Sequence, residues 1–399
     1  MIFSIVIPAY NEQNGIADII GRTLAAKPAI LAVQGIDDVE VIVVNDGSKD
    51  RTGEIVDQFD QVRQVRHPVN KGYGAALKTG FENATGQVVG FLDADGTYPP
   101  EFFPQILKAF LTENADIALG SRMMGEKSGM PMTRYIGNKF FAVLLSWIVG
   151  RRITDTASGL RVFRKEVLPQ LYPLPDGLNL TPAMSTKAIH ENLKIIELPM
   201  PYDERVGRSK LNVIGDGMRF FNTIVGIAKL YNPLKFFGII GVALILLGFA
   251  LSLRPVLHYL QAQQVEEFEI YRLFTVMVLW VTGINVISFG AFCNTILGVI
   301  HGKEVHAHSV WSRYVFRPSL MRNLDKVGGV LVALAVLLNL KTIFQFITTL
   351  AIDVHWSYIL TGATFFLVGT QLAMTSFLLK IVEELRATKD TQFMFRKAS

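Results

Sequence analysis

The sequence predicts an α/β domain built on a mainly parallel sheet, followed by an all-α transmembrane domain of four helices. Three observations carry that expectation. Through residues 1–210, short β-branched apolar runs alternate with helical stretches. Polar clusters stand where several of those runs end. Residues 233–382 then hold long apolar runs separated by short polar stretches.

The elements follow in order. Residues 2–7 form an apolar strand halted by Pro8, and residues 14–27 read as a helix. A second strand, 39–44, ends at Asn45-Asp46-Gly47, after which Thr52 can cap a helix. Residues 62–66 form a short strand and 73–83 a helix opened by Asn70-Lys71-Gly72. The strand at 88–92 ends in Asp93-Ala94-Asp95, and Pro99-Pro100 start a helix over 101–111. A strand at 116–119 follows, and Thr181-Pro182 read as a further helix cap and first turn. In a parallel sheet, ligands bind beyond the carboxyl ends of the strands. Tyr10-Asn11-Glu12, Asn45-Asp46-Gly47 and Asp93-Ala94-Asp95 all stand there.

Asp93 and Asp95 flank one residue, so both carboxylates can reach one small hard cation, Mg2+ or Mn2+, that bridges to a diphosphate. Asp46 can accept hydrogen bonds from a base or ribose, although Asn-Asp-Gly-Ser is equally good turn chemistry. The glycines of Asn70–Ala76 allow close approach of a ligand or a tight loop, and the stretch lacks a P-loop ending.

Four segments are long enough to span a bilayer: 234–253, 273–300, 327–351 and 358–382. Lys341, in the third, must face the bundle or snorkel. Lys303, Arg313, Arg317, Arg322 and Lys326 lie between spans two and three, and Arg386, Lys389, Arg396 and Lys397 lie in the tail. That asymmetry predicts both termini on the cytoplasmic side, and the N-terminus lacks a basic leader. Residues 135–149 and 213–230 are apolar but too short or too amphipathic to span. In the second, Ile214, Met218, Phe221, Val225 and Ala228 share one stripe, and Asp216, Arg219 and Thr223 fall on another face. Both segments fit helices lying in the interface or packing on the soluble core. The expected organisation is a cytoplasmic domain over 1–211, an amphipathic helix over 212–232, a membrane domain over 233–385 and a tail over 386–399.

Composition narrows the function classes. Of 399 residues, 50% are hydrophobic, with mean hydropathy +0.34, more than an ordinary soluble domain carries. Net charge is +5, yet the basic residues form no dense tract, which favours anionic lipid and substrate phosphates over nucleic acid. Cys293 is the single cysteine, which excludes an internal disulfide, and no zinc-type Cys/His spacing occurs.

Seven motifs run in order: Val6–Glu12, Val44–Thr52, Asn70–Gly72, Asp93–Asp95, Gly120-Ser121-Arg122, Asp155–Arg161 and Tyr202–Leu211. Together they resemble the family 2 glycosyltransferases of GT-A fold, especially the dolichyl-phosphate mannose synthases and polyprenyl-phosphate sugar transferases. The resemblance implies that Pro8, Tyr10, Glu12, Val44 and Asp46 hold the nucleotide and that Asp93, Ala94 and Asp95 hold the donor diphosphate and metal. It further implies that Arg122, Arg134, Arg205 and Lys210 gather the donor and acceptor phosphates, with Ser158 and Arg161 in the acceptor stretch. Asp95, Arg122, Arg205 and Lys210 are then the catalytic candidates. Asn45 stands where the family often has aspartate, and Thr97 where it often has glutamine, which makes Thr97 a weaker candidate metal ligand.

The implied activity is transfer of a hexose from a nucleotide sugar, GDP-mannose foremost, to polyprenyl or dolichyl phosphate. UDP-glucose or UDP-N-acetylglucosamine are alternative donors. A processive synthase would carry a Gln-x-x-Arg-Trp motif, absent here. A catalytically silent scaffold or lipid-flipping component is the alternative of another class.

Overall fold

A computed structural model describes residues 1–125, 130–202, 213–262, 266–301 and 323–398. The chain forms two compact units, Met1–Ala228 and Lys229–Ser399.

The first unit contains β1 (Ile2–Ala9), α1 (Ile16–Leu31), β2 (Asp38–Asn45), α2 (Thr52–Val56), β3 (Val62–Arg66), α3 (Tyr73–Asn83) and β4 (Val88–Phe91). It continues through α4 (Phe103–Thr112), β5 (Ile117–Ser121), α5 (Met132–Val149), β6 (Arg161–Arg164), α6 (Leu168–Leu171), α7 (Leu180–His190), β7 (Ile195–Pro199) and α8 (Val213–Tyr231). Among the described residues the strands make one sheet in the order β3-β2-β1-β4-β6-β5-β7.

The β3-β2-β1-β4 half is parallel, with Pro8 opposite Val44 and Val6 opposite Phe91. β6 departs from the expected parallel run, pairing antiparallel with both β4 and β5. Its four residues, Arg-Val-Phe-Arg, are bracketed by charge and too short to show a period in sequence. β7, parallel to β5, was also not foreseen.

Alternation along the strands splits the core in two. Phe3, Ile5 and Ile7 pack with α1 and α4 on one face, while Val6, Ile42 and Val44 pack with α3 and α7 on the other. Both faces are covered, which is why β1 and β2 read as continuous apolar runs. On the second face the ring of Phe81 meets Phe163 at 5.1 Å and Phe91 at 5.8 Å, tying α3 to β6 and β4.

Two expected caps differ. α2 begins at Thr52 itself, whose hydroxyl bonds Asp50 and accepts Glu12 N at 2.9 Å. Thr52 therefore joins two loops; the N-cap position falls to Arg51, without a side-chain cap, and Asp50 accepts Thr52 N at 3.0 Å. In α7 the N-cap position falls to Asn179, and Thr181 lies inside the first turn, buried.

α5 and α8 pack together through Phe141, Leu145, Phe220 and Ile224. The stripe expected on α8 divides. Ala228 is buried, whereas Ile214, Met218 and Phe221 are exposed, because Phe220 and Ile224 face α5 instead. On α5, Ile136, Phe140, Val143 and Trp147 form an exposed apolar row.

The second unit holds α9 (Pro233–Ala262), α10 (Glu267–His301), α11 (Leu324–Thr349) and α12 (Trp356–Ala398). Among the described residues these four helices are long and apolar enough to cross a membrane. α9 packs along α10 and α11 along α12, and α10 also meets α12. Small residues let the backbones close: a Cβ on Gly241 would lie 2.5 Å from the Gly283 carbonyl. Lys380 and Asp325 pair at 2.7 Å across α11 and α12. Lys341 is exposed, so it does not face the bundle; it lies about 12 Å from the helix end at 1.5 Å per residue, within reach of snorkelling.

Phe81→Ala removes the ring that links three elements and is expected to cost about 3–5 kcal/mol. Thermal unfolding of the full chain, with the sheet signal followed by circular dichroism, checks this. A midpoint equal to wild type would contradict the packing described.

Candidate active site

The parallel register of β2, β1 and β4 brings three loops to one rim. They line a cavity of about 420 Å³ with Pro8, Tyr10 and Glu12 after β1, Asp46 after β2 and Asp93, Ala94, Asp95 and Thr97 after β4. Arg122 and Arg134 also line it. Val44 does not, for its side chain is fully buried in the core below.

Asp46 is 2% exposed, yet it reaches the cavity. Its carboxylate accepts Lys71 N and Gly72 N, each at 2.9 Å, and contacts His67 Nδ1 at 2.7 Å. Asp46 thus organises the 70–72 loop and still presents an edge to the cavity. The glycines of that loop serve the protein's own packing. A Cβ on Gly74 would lie 2.2 Å from the Pro175 carbonyl, and Ala75 N donates to Asp176 O at 3.1 Å.

Asp93 and Asp95 are partly buried on the β4 loop. Tyr73 donates its hydroxyl to Asp93 Oδ1 at 2.6 Å, and burial followed by the Asp93 charge drives that phenol's pKa well up. Gly159 backs the same carboxylate: a Cβ there would lie 2.2 Å from Asp93 Oδ2. The hydroxyl of Thr97 donates to Asp95 Oδ1 at 2.6 Å. Thr97, 2% exposed, lines the same cavity and orients Asp95 through this bond.

No group of three or more His, Cys, Asp or Glu fit to hold a metal occurs among the described residues. Two carboxylates with substrate phosphate oxygens are what Mg2+ requires, since it keeps much of its shell for phosphate and water. The Asp93/Asp95 pair fits that role.

Arg122 is held rigidly. Its Nε and Nη2 donate to Asp155 at 2.7 and 2.8 Å, and its guanidinium lies 5.8 and 5.6 Å from the ring centres of Tyr98 and Tyr202. Burial alone would raise the Asp155 carboxyl, but the Arg122 charge and its hydrogen bonds hold it below the ordinary carboxylate value. Arg122 therefore brings to the cavity a cation already balanced by a buried anion.

Ser158 and Arg161, placed by resemblance in an acceptor stretch, are fully buried and do not line the cavity. Ser158 donates to Gly120 O at 2.6 Å. Arg161 donates to the carbonyls of Ser158 and Thr156 and to Ser185 Oγ, all neutral, and burial lowers its pKa to about 10. Their geometry fixes the wall behind Asp93 and Arg122. Arg205 and Lys210 lie outside the described residues.

Sequence reading missed His67, Tyr73, Asp155 and Asp216 as members of this site. Asp216 was expected on the polar face of α8; it is 4% exposed and lines the cavity with Phe220. The available signal was its spacing, one helical turn before Phe220 and two before Ile224, the residues that pack on α5.

Residues 4–172 match the family model described as glycosyl transferase family 2, and residues 233–392 match a domain of unknown function (DUF8752). The dolichyl-phosphate hexose transferase of Haloferax volcanii is 30% identical over 224 residues, covering 56% of this chain and 92% of that protein. The chain belongs to glycosyl transferase family 2. A second Haloferax volcanii relative, a low-salt glycan biosynthesis hexosyltransferase, is 33% identical over 222 residues. That match takes in 54% of this chain and about half, 51%, of the relative. The polyprenol monophosphomannose synthase of Mycolicibacterium smegmatis is 30% identical over 222 residues, or 52% of this chain and 80% of that one. As a family 2 member, the first unit is a GT-A domain, its mixed but mostly parallel sheet set by the order above.

Asp155→Asn leaves the Arg122 charge buried without its anion, at an expected cost of about 3–5 kcal/mol. Because the folded carboxyl titrates below its unfolded value, the pair's contribution is present above the unfolded pKa and lost as pH falls through the folded one. The stability gap between wild type and variant should stay flat from about pH 8 to 5 and shrink below about pH 4. Urea unfolding across pH measures it, and a gap that grows on acidification contradicts the pairing.

Proposed function

We propose that the chain is a membrane-bound hexosyltransferase that passes a sugar from a nucleotide diphosphate to polyprenyl or dolichyl phosphate at the cytoplasmic face, inverting the anomeric centre. The observation that carries the reading is the meeting of Asp46, Asp93, Asp95 and Arg122 in the lining of one cavity. The names of the relatives, which concern dolichyl-phosphate hexose and polyprenol monophosphomannose chemistry, support the acceptor class.

Pro8, Tyr10, Glu12 and Asp46 would hold base and ribose. Asp93 and Asp95 would hold Mg2+ or Mn2+, which when bound neutralises charge on the departing diphosphate. Arg122 and Arg134 would orient phosphate oxygens, joined by Arg205 and Lys210. A lipid phosphate is ionised at neutral pH, so attack on the anomeric carbon needs no general base. The cations screen repulsion between the two phosphates, and Arg suits two-point contact with each. GDP-mannose is the favoured donor, with UDP-glucose and UDP-N-acetylglucosamine as the alternatives.

The four apolar helices fit membrane anchorage. The exposed rows Ile136, Phe140, Val143 and Trp147 on α5 and Ile214, Met218 and Phe221 on α8 suit contact with the headgroup layer. The clusters of Lys and Arg between spans two and three and in the tail favour cytoplasmic termini.

The test incubates membranes containing the protein with radiolabelled GDP-mannose, UDP-glucose and UDP-N-acetylglucosamine plus polyprenyl phosphate. Label is expected in an organic-soluble, mild-acid-labile product, dependent on Mg2+ or Mn2+. Asp95→Asn should lower its rate of formation by about 100-fold or more. No lipid product from any donor, or wild-type turnover by the variant, contradicts the reading.

A further inference from the structure

Two side chains that sequence reading passed over each grip one of the rim carboxylates: Tyr73 opens α3, and His67, just past β3, is tied to α3 through Thr79. His67 is 8% exposed and uses both ring nitrogens on side chains: Nδ1 meets Asp46 Oδ1 at 2.7 Å and Nε2 meets Thr79 Oγ1 at 2.9 Å. The neutral ring with its proton on Nδ1 satisfies both contacts, donating to Asp46 and accepting from Thr79. Tyr73, at the start of the same helix, donates to Asp93 Oδ1 at 2.6 Å. Tyr73 and Thr79 are six residues apart, about 9 Å along the helix axis.

Each carboxylate is thereby prevented from turning. Asp46 receives two backbone N–H groups and the His67 ring, three of the roughly four acceptor directions a carboxylate offers. Asp93 lies between the Tyr73 hydroxyl and the bare Cα of Gly159. The helix that carries Tyr73 and Thr79 is itself braced from behind. Lys78 Nζ bonds Leu174 O at 3.0 Å and pairs with Asp176 at 2.6 Å, and the backbone of Pro175 and Asp176 closes onto Gly72 and Gly74.

We propose that His67 and Tyr73 are positioning residues: through α3 they set the orientation of Asp46 toward the nucleotide and of Asp93 toward the cation. The proposal rests on the nucleotide-sugar reading above. It goes further in separating two arms of one frame, so each arm has its own signature. Loss of the Tyr73 hydroxyl removes the hydrogen bond that orients Asp93 Oδ1 and weakens cation capture. Loss of the His67 donor removes one of the three bonds that orient Asp46 and weakens nucleotide capture. Neither touches the acceptor phosphate.

The test uses the full chain in detergent. Mn2+ alone is titrated by electron paramagnetic resonance, UDP and GDP without metal by calorimetry, and the lipid phosphate through its KM. Tyr73→Phe is expected to weaken Mn2+ binding by about tenfold or more while metal-free nucleotide affinity stays near wild type. His67→Phe is expected to weaken metal-free nucleotide binding by about tenfold, with Mn2+ affinity unchanged. His67→Asn, which restores a donor near the Nδ1 position, should recover part of that loss. Thr79→Ser should match wild type and Thr79→Val should fall between. The KM for lipid phosphate should not move in any variant. Variants that lower the melting temperature with both affinities intact, or that weaken both ligands equally, overturn the proposal. If wild type binds neither nucleotide nor Mn2+, the nucleotide-sugar reading itself fails, an outcome distinct from unaltered affinities in the variants.

Discussion

Parallel pairing of β1 with β2 on one side and β4 on the other is the constraint on which the rest of the first unit depends. Ala9 lies opposite Asn45, and Val6 opposite Phe91, so the three chains leave the sheet at the same edge. A shift of one residue in either pairing would turn alternate side chains to the wrong face. It would also carry Asp46 or Asp93 away from the shared cavity. The core thus fixes the chemistry: Val41, Val43, Ile5 and Ile7 on one face and Val6, Ile42 and Val44 on the other enforce the register that aligns the acidic loops.

Charge at that edge is arranged in layers. The exposed layer is acidic, with Asp93 and Asp95 partly accessible. Beneath it, Arg122 and Asp155 form a paired unit with tyrosine rings on two sides, and Arg161 is held wholly by neutral acceptors. Buried ion pairs rarely add much net stability over apolar packing, and breaking one by removing a single partner is costly. The Arg122–Asp155 pair is therefore better understood as a device that fixes a cation in place. Tight internal bonding of these groups suits the proposed site, which would receive two anionic phosphates without rearranging.

Much of this was legible in the residues. The β1, β2, β3 and β4 runs and the helix at 73–83 stood out because each is apolar at a clear period and ends in turn chemistry. The three rim clusters were readable for the same reason: they terminate strands. The membrane helices were readable because length and hydropathy alone mark them. What escaped was set by tertiary contact. β6 is a charged tetrapeptide that becomes a strand only between β4 and β5. Asp155 looks like one more loop acid until Arg122 is seen against it. Ser158 and Arg161 sit among motif residues, yet pairing with local carbonyls removes them from the cavity. Asp216 reads as the polar side of an amphipathic helix, whereas the packing of Phe220 and Ile224 on α5 turns it inward.

The most direct measurement is a crystal or cryogenic electron microscopy structure of the full chain with Mn2+ and a nucleoside diphosphate, the cation located by its anomalous or density peak. The account predicts the peak within about 2.0–2.3 Å of carboxylate oxygens of Asp93 or Asp95, with the base and ribose beside Asp46. A cation bound elsewhere, or a nucleotide seated away from the β1, β2 and β4 loop edge, would contradict it.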